Sequence, residues 1–468
     1  MNAKTEAEVN VRRVSLEEVL ALREGRARRR EELSRSGLSL ACLTLNIPGE
    51  YKVFPLAVRS FHEESAAFTR ALRAEGVPVV HRESWEDPAG PTEYVSAAAP
   101  PEKLKAIALA LEGGHPLGRL FDIDVFAPGG RKLSRGGFGE AERPCLVCGG
   151  GAFACGRSRA HPAAEVMASV LKIMEGFLRE KAENIAGSAA AGALMGEVAV
   201  TPKPGLVDRA NSGAHRDMDF FTFIDSAAAI LPFFRECARR GFDRGGSPHR
   251  NSFAGEEDSE NLTGLFESLR PAGKIAEEAM REASGGPNTH RGAIFSLGII
   301  SAAYGYLYRS REKPGLEALL GTCRLMTGRL GEDFSRPPRS HGEVIYAAGG
   351  VRGVRGEASR GFPAVRDHAY PALRGMLGRG YSLNDAGIAA FLQLLAHTED
   401  TNIIHRAGEA ALRRIREETA RFLGTNPGME EMRAKAADLD KEFTARNISP
   451  GGCADLLGVT IFLYRLLR

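Results

Sequence analysis

Aromatic residues make up 7% of this 468-residue chain, with a single tryptophan. That is too few for the aromatic and basic face that single-stranded nucleic-acid binders stack bases on. A dominant charge is missing too. The formal net charge is +3, which excludes bulk electrostatic attraction to nucleic acid or to a membrane surface. No run of about 18 apolar residues occurs, so no membrane-spanning helix is expected. Met1 to Arg13 is polar and charged and does not read as a signal peptide, so the expected location is cytoplasmic. Seven cysteines, an odd number without a secretory signal, read as reduced thiols rather than a disulfide framework.

Glycine is abundant, at 54 residues, and the loops it shapes carry the polar chemistry. The chain is organised around Thr201 to Asp219, T-P-K-P-G-L-V-D-R-A-N-S-G-A-H-R-D-M-D. Two prolines and a glycine keep its start out of regular structure. It delivers Lys203, Asp208, Arg209, His215, Asp217 and Asp219, a mixture suited to a phosphorylated substrate with a metal ion. A solvated loop with ion pairs is the plainer alternative. Were the stretch helical, His215 and Asp219 would share a face at i, i+4, whereas Asp217 and Asp219 would not.

The N-terminal part mixes strands and helices. Ser15 opens a helix through the capping box S-L-E-E, with Leu16, Val19, Leu20 and Leu22 as its apolar stripe. Arg26, Arg28, Arg29 and Arg30 read either as a solvated face or as a landing patch for an acidic partner. Leu38–Leu45, Val77–His81 and Tyr94–Ala98 are strand candidates, and Glu102–Glu112 a helix stopped by Gly113-Gly114. In G-R-L-F-D-I-D-V-F, strand alternation puts Asp122 and Asp124 on one face and Phe121, Ile123 and Val125 on the core face. Paired carboxylates of this kind bridge to phosphate through magnesium in phosphoryl and nucleotidyl transfer, with an exposed edge strand as the plainer alternative. Cys145, Cys148, Cys155 and His161 offer a zinc ligand set, with reduced structural thiols as the alternative.

From Pro162 onward β-patterns nearly vanish and helical runs dominate, an all-α bundle. Pro314, Pro337 and Pro338 mark loops. Asn288, His290 and Arg291 sit on a glycine-led turn opening an apolar helix, where amides and Arg291 suit phosphate. Arg355, Glu357 and Arg360 lie on another glycine-rich loop, Gly353 to Pro363. Asn402 and Arg406 share a helix face. Ser449 reads as an N-cap with Pro450 at the first helical position, and Asp455 follows on that helix.

Two resemblances follow. L-N-I-P-G (Leu45–Gly49), G-R-L-F-D-I-D-V (Gly118–Val125), L-S-R (Leu133–Arg135), R-P-C-L-V-C (Arg143–Cys148) and C-G-R-S-R-A-H (Cys155–His161) resemble the holo-acyl-carrier-protein synthase of citrate lyase, also called apo-citrate lyase phosphoribosyl-dephospho-CoA transferase. The resemblance implies a domain over residues 14–165, of α+β nucleotidyltransferase type, with Asp122 and Asp124 catalytic and Arg135 and Arg157 binding substrate. It would move a phosphoribosyl-dephospho-CoA group onto a serine of the citrate lyase acyl carrier protein, releasing pyrophosphate. The motifs of the C-terminal half resemble triphosphoribosyl-dephospho-CoA synthase over residues 176–468. That implies 2′-(5″-triphosphoribosyl)-3′-dephospho-CoA made from ATP and 3′-dephospho-CoA, with adenine released. Arg291 stands where lysine is expected, and Cys453 where serine is.

In this reading His215, Asp217 and Asp219 are catalytic, with His215 and Asp219 as one unit. Lys203, Arg209 and Arg291 hold the triphosphate, and Asp217 is a metal ligand or base. Asp208, Asn288, His290, Arg355, Glu357, Asn402, Arg406 and Asp455 bind substrate, and magnesium is the expected cofactor at Asp122, Asp124 and Asp217. A malonate decarboxylase carrier is the alternative client, and a zinc-knuckle nucleic-acid module the alternative class.

Overall fold

The computed structural model describes residues 13–245, 256–310, 314–330 and 353–468, without side chains at 256–258. Pro337, Pro338 and residues 1–12 lie outside this range. By packing, the described residues divide into two compact units, one comprising those up to Glu180 together with Arg309 and Ser310, the other the remainder from Lys181 onward.

The first unit is α+β. Helix α1 (Leu16–Ser34) starts at the expected capping box, with the Glu18 amide donating to Ser15 Oγ at 3.1 Å and the Ser15 amide to Glu18 at 2.8 Å. Strands β1 (Ser39–Leu45), β2 (Val79–Trp85), β3 (Thr92–Ala97) and β4 (Phe121–Phe126) form an antiparallel sheet in the order β2-β3-β1-β4. Helices α2 (Pro55–Ala74) and α3 (Pro101–Gly114) pack on it. Alternation in β4 is as expected: Phe121, Ile123 and Val125 are fully buried, and the two aspartates are not.

Helix α1 departs from its expected stripe, because Leu16 and Leu20 are 75% and 51% exposed. Its arginines attach it instead. Arg26 bonds Asp87 at 2.7 and 3.1 Å, Arg29 bonds Glu83 at 2.6 and 2.7 Å, and the Arg30 guanidinium lies 4.7 Å over the Phe126 ring. Three of the four cations are therefore engaged in packing, and only Arg28 stands exposed. The free landing patch is not there.

Helix α4 (Ala152–Ser158) precedes α5 (Ala163–Ala199). The latter is one helix of 37 residues, and the division between units falls within it. The second unit is helical among the described residues. It holds α6 (Phe220–Arg244), α7 (Glu256–Ser284), α8 (Arg291–Ser310), α9 (Leu316–Met326), α10 (Gly353–Ser359), α11 (Tyr370–Gly378), α12 (Leu383–His397), α13 (Thr401–Gly424), α14 (Met429–Ala445) and α15 (Gly451–Leu466), with a π-helical turn at Val365–Ala369. The expected glycine-rich loop at 353–363 begins as a helix instead. No helix among the described residues is long and apolar enough to cross a membrane.

Candidate functional sites

In the first unit, Thr44 opposes Asp122 and Cys42 opposes Asp124 across β1. Asp124 is paired with Lys132 at 2.6 Å. Thr44 Oγ1 approaches the Asp122 carboxylate at 3.5 Å. Burial, and then the Asp124 charge, raise that carboxyl above the usual range. The residue that organises this edge is Glu112, which composition alone did not single out. Buried at the end of α3, it accepts the Ile123 amide at 3.1 Å and takes Arg143 at 2.7 Å and Arg135 at 2.8 Å. Arg143 also donates to the Phe121 carbonyl at 2.8 Å. Arg135 is thus held by Glu112 and the Ala141 carbonyl rather than offered freely to a substrate. Arg157 is exposed on α4. The Cys145, Cys148, Cys155 and His161 ligand atoms converge within 4.8 Å of one another.

In the second unit, the Thr201–Asp219 loop is a packed structure. Gly205 adopts φ +67°, and a Cβ there would run into the Ile448 carbonyl. Asp440 pins the loop by accepting the Gly205 amide at 2.9 Å and the Asn211 side-chain amide at 3.0 Å. Asp208 is buried and accepts the Lys203, Ala210 and Asn211 amides at 2.7–3.0 Å. These bonds shape the turn. Arg209 points to the Ala199 carbonyl (2.7 Å) and Asn384 (3.0 Å).

The loop closes one side of a cavity of about 340 Å³, within the range typical of small-molecule sites. Its floor includes Glu197, Lys203, His290 and Asp455; its rim includes Asp217, Asn288, Arg291, Asn402 and Arg406. Motifs scattered over the sequence thus meet in one place. Asp208, Arg209, Asp219, Arg355 and Glu357 do not line it. Asp219 is the N-cap of α6, accepting the Thr222 amide at 2.9 Å and the Thr222 hydroxyl at 2.8 Å, bonds that lower its pKa. Because α6 starts only at Phe220, His215 and Asp219 cannot share a helical face, and the expected pair is not formed. Glu357 accepts the Ala364 amide at 3.0 Å and closes the turn after α10.

Ser449 is not the cap expected of it. Pro450 occupies that position without a side-chain cap, and Ser449 Oγ lies 2.9 Å from His215 Nε2. Burial, then the Arg406 charge, lower the His215 pKa, so its ring is neutral at pH 7. Lys203, 1% exposed, meets Glu197 Oε1 at 2.5 Å and the Glu197 carbonyl at 2.9 Å. Asp400, also buried, ties two helix starts together, accepting the Asn402 and Ile403 amides of α13 and the Cys453 amide of α15 at 2.8–3.2 Å. Asp455 lies against the first turn of α8: a Cβ on Gly292 would collide with its carboxylate. Burial, followed by the nearby Glu197 and Asp400 charges, pushes Asp455 well above the usual carboxylate range, while the Ala293 amide pulls the other way.

His290 is buried with Nδ1 2.9 Å from Ser226 Oγ and no hydrogen-bond partner for Nε2 among the described residues. Burial, then the Lys203 charge, lower its pKa to about 3. A histidine that stays neutral when folded but protonates at about 6.5 when unfolded favours the unfolded state as the pH falls between those values. From pH 7 to pH 5 the parental protein should therefore lose about 2 kcal/mol more stability than a His290→Gln variant. Denaturant unfolding of both proteins at the two pH values measures this. Equal losses would mean that His290 is charged in the folded protein.

Comparison with known proteins gives two family matches. Residues 183–468 match CitG, ATP:dephospho-CoA triphosphoribosyl transferase, and residues 14–177 match CitX, apo-citrate lyase phosphoribosyl-dephospho-CoA transferase. The chain is 33% identical to Protein CitXG of Leuconostoc mesenteroides over 97% of its own length and 98% of the relative's, and 31% identical to Protein CitXG of Haemophilus influenzae over 96% of each. It is 37% identical to a probable 2-(5''-triphosphoribosyl)-3'-dephosphocoenzyme-A synthase of Vibrio cholerae, over 61% of this chain and 88% of that one. The chain belongs to the CitXG family, in which a CitX part is followed by a CitG part.

Proposed function

We propose that residues 176–468 form the triphosphoribosyl-dephospho-CoA synthase domain and residues 14–165 the phosphoribosyl-dephospho-CoA transferase domain, of nucleotidyltransferase type. The chain is a bifunctional transferase acting on ATP and 3′-dephospho-CoA. The family description names citrate lyase. This favours the citrate lyase acyl carrier protein as acceptor over a malonate decarboxylase carrier, and an enzyme over a nucleic-acid module.

The observation that carries the synthase reading is the cavity, with exposed cations at its rim over a floor of carboxylates and neutral imidazoles. The 2′-hydroxyl of dephospho-CoA attacks the anomeric carbon of the ATP ribose. The new C–O bond forms as the bond to adenine breaks, and positive charge develops on the ribose, as in glycoside cleavage. Arg291 and Arg406 hold the triphosphate, while Asn288 and Asn402 bond the sugars and base. Neutral His215, held by Ser449, accepts the hydroxyl proton. Asp455, kept protonated by its surroundings, gives a proton to the departing adenine. Asp217 and the Asp122–Asp124 pair offer the hard oxygen donors that magnesium prefers, and the ion would screen phosphate charge.

The second step is attack of a carrier serine hydroxyl on the phosphorus next to the ribose, with pyrophosphate leaving. Incubating the protein with ATP and dephospho-CoA should release adenine in step with the triphosphoribosyl product. Adding apo-carrier should release pyrophosphate and increase the carrier's mass by the phosphoribosyl-dephospho-CoA group. Absence of adenine from folded protein would overturn the synthase assignment.

A further inference from the structure

We propose that Cys145, Cys148, Cys155 and His161 hold one zinc ion, which fixes the segment following β4. Three sulfurs and a ring nitrogen lie within 4.8 Å of one another. Tetrahedral zinc, with bonds of about 2.3 Å to sulfur and 2.0–2.1 Å to nitrogen, sets its ligand atoms roughly 3.5–3.8 Å apart. Cys148 Sγ and Cys155 Sγ are 3.5 Å apart, far beyond a bonded disulfide at about 2.05 Å, and all seven cysteines are free. Three thiolates and an imidazole suit zinc better than the oxygen-seeking cations.

The backbone is wound for this purpose. The Cys145 amide donates to the Gly150 carbonyl at 2.5 Å and the Gly149 amide to the Cys145 carbonyl at 3.1 Å, while the Val147 amide approaches Cys145 Sγ at 3.5 Å. Gly149 supplies the positive φ of +75° that the turn requires. His161 Nε2 is buried with no hydrogen-bond partner among the described residues, and Nδ1 lies 3.6 Å from Glu165. A carboxylate behind the imidazole is how metal-binding histidines are usually oriented.

A second observation is independent of the ligand geometry. No residue from 134 to 169 is buried. A stretch of this length without an apolar core needs another source of order, and a structural metal supplies one. What it would order matters for the neighbouring site. Arg143, two residues before the first cysteine, holds both the Phe121 carbonyl and Glu112, and Arg119 bonds the Pro144 carbonyl. The zinc would thereby brace the start of β4, next to Asp122. This last step rests on the reading of Asp122 and Asp124 as the transfer site.

The test uses full-length protein purified without chelator or metal-affinity resin. Elemental analysis should give one zinc per chain. Cys148→Ser and Cys155→Ser should lose it, and Cys237→Ala, altering a buried cysteine of α6, should keep it. Cobalt exchanged into the parental protein should show the visible bands of a tetrahedral, thiolate-bound ion, a readout that does not depend on any variant folding. Folded parental protein with near-zero zinc and no cobalt spectrum would overturn the site. So would zinc retained in full by both serine variants. Stripping the ion should halt carrier labelling from finished triphosphoribosyl-dephospho-CoA and spare adenine release. Unchanged labelling after stripping would overturn the bracing role alone. Failure of the zinc-loaded protein to label the carrier would instead count against the transferase reading.

Discussion

Asp455→Asn should slow adenine release by about 10²–10⁴-fold, the usual contribution of a positioned proton donor. Asparagine has nearly the same shape and keeps an oxygen for the Ala293 amide, so the first turns of α8 and α15 retain their packing. The substitution removes the acidic proton. Adenine is a poor leaving group unless its ring is protonated, and a carboxyl held well above its usual pKa by burial and by Glu197 and Asp400 can supply that proton near neutral pH. ATP methylated at N7 carries a purine that leaves without a proton. It should recover most of the lost rate with Asp455→Asn and gain far less with parental protein. No recovery would mean that Asp455 stabilises charge on the ribose rather than donating a proton.

The pH profile provides a separate check. Parental kcat/KM should fall on the alkaline side as Asp455 ionises, and on the acid side only below the ordinary histidine range, because the His215 pKa is lowered. Asp219→Ala is the contrasting substitution. It removes the α6 cap and should lower the denaturation midpoint while leaving adenine release near the parental rate, since Asp219 does not line the cavity.

Features set by short-range rules were legible in the sequence. The Ser15 capping box depends on residues three apart, and the Asp122–Asp124 face on strand periodicity; both formed as expected. The loop from Thr201 and the turn before Asn288 were recognisable because proline and glycine punctuate them. Partners distant in sequence were not legible. Ser449 is 234 residues from His215 and carries an equally good local reading as a helix cap. Glu197 sits in a small-residue helix with nothing to mark it until Lys203 folds back onto it at 2.5 Å. Asp219 was misread for a local reason. Its pairing with His215 assumed a helix already formed at residue 215, and the helix begins five residues later, at Phe220. The Arg26–Arg30 run misled differently, because sequence counts charges but does not show which carboxylates will face them.

Asp124→Asn should abolish carrier labelling and leave adenine release intact, whereas Asp455→Asn should slow adenine release and still label the carrier from finished triphosphoribosyl-dephospho-CoA. The first substitution keeps the strand shape but removes the charge paired with Lys132 at 2.6 Å. It also removes half of the carboxylate face that would meet metal and phosphate on β4. The two residues lie in separate compact units, so neither change should disturb the other half-reaction. Mixing the two variants with ATP, dephospho-CoA and apo-carrier should therefore restore labelling, because triphosphoribosyl-dephospho-CoA made by one chain can diffuse to the other. At low protein concentration the mixture should lag behind the parental chain, where tethering keeps the intermediate at an effective concentration of about millimolar. The lag should shrink when finished intermediate is added in excess. A mixture that stays inactive, although each folded variant retains its own half-reaction, would mean that the intermediate never leaves the chain that makes it. If Asp124→Asn also lost adenine release, the two activities could not be assigned to separate domains at all.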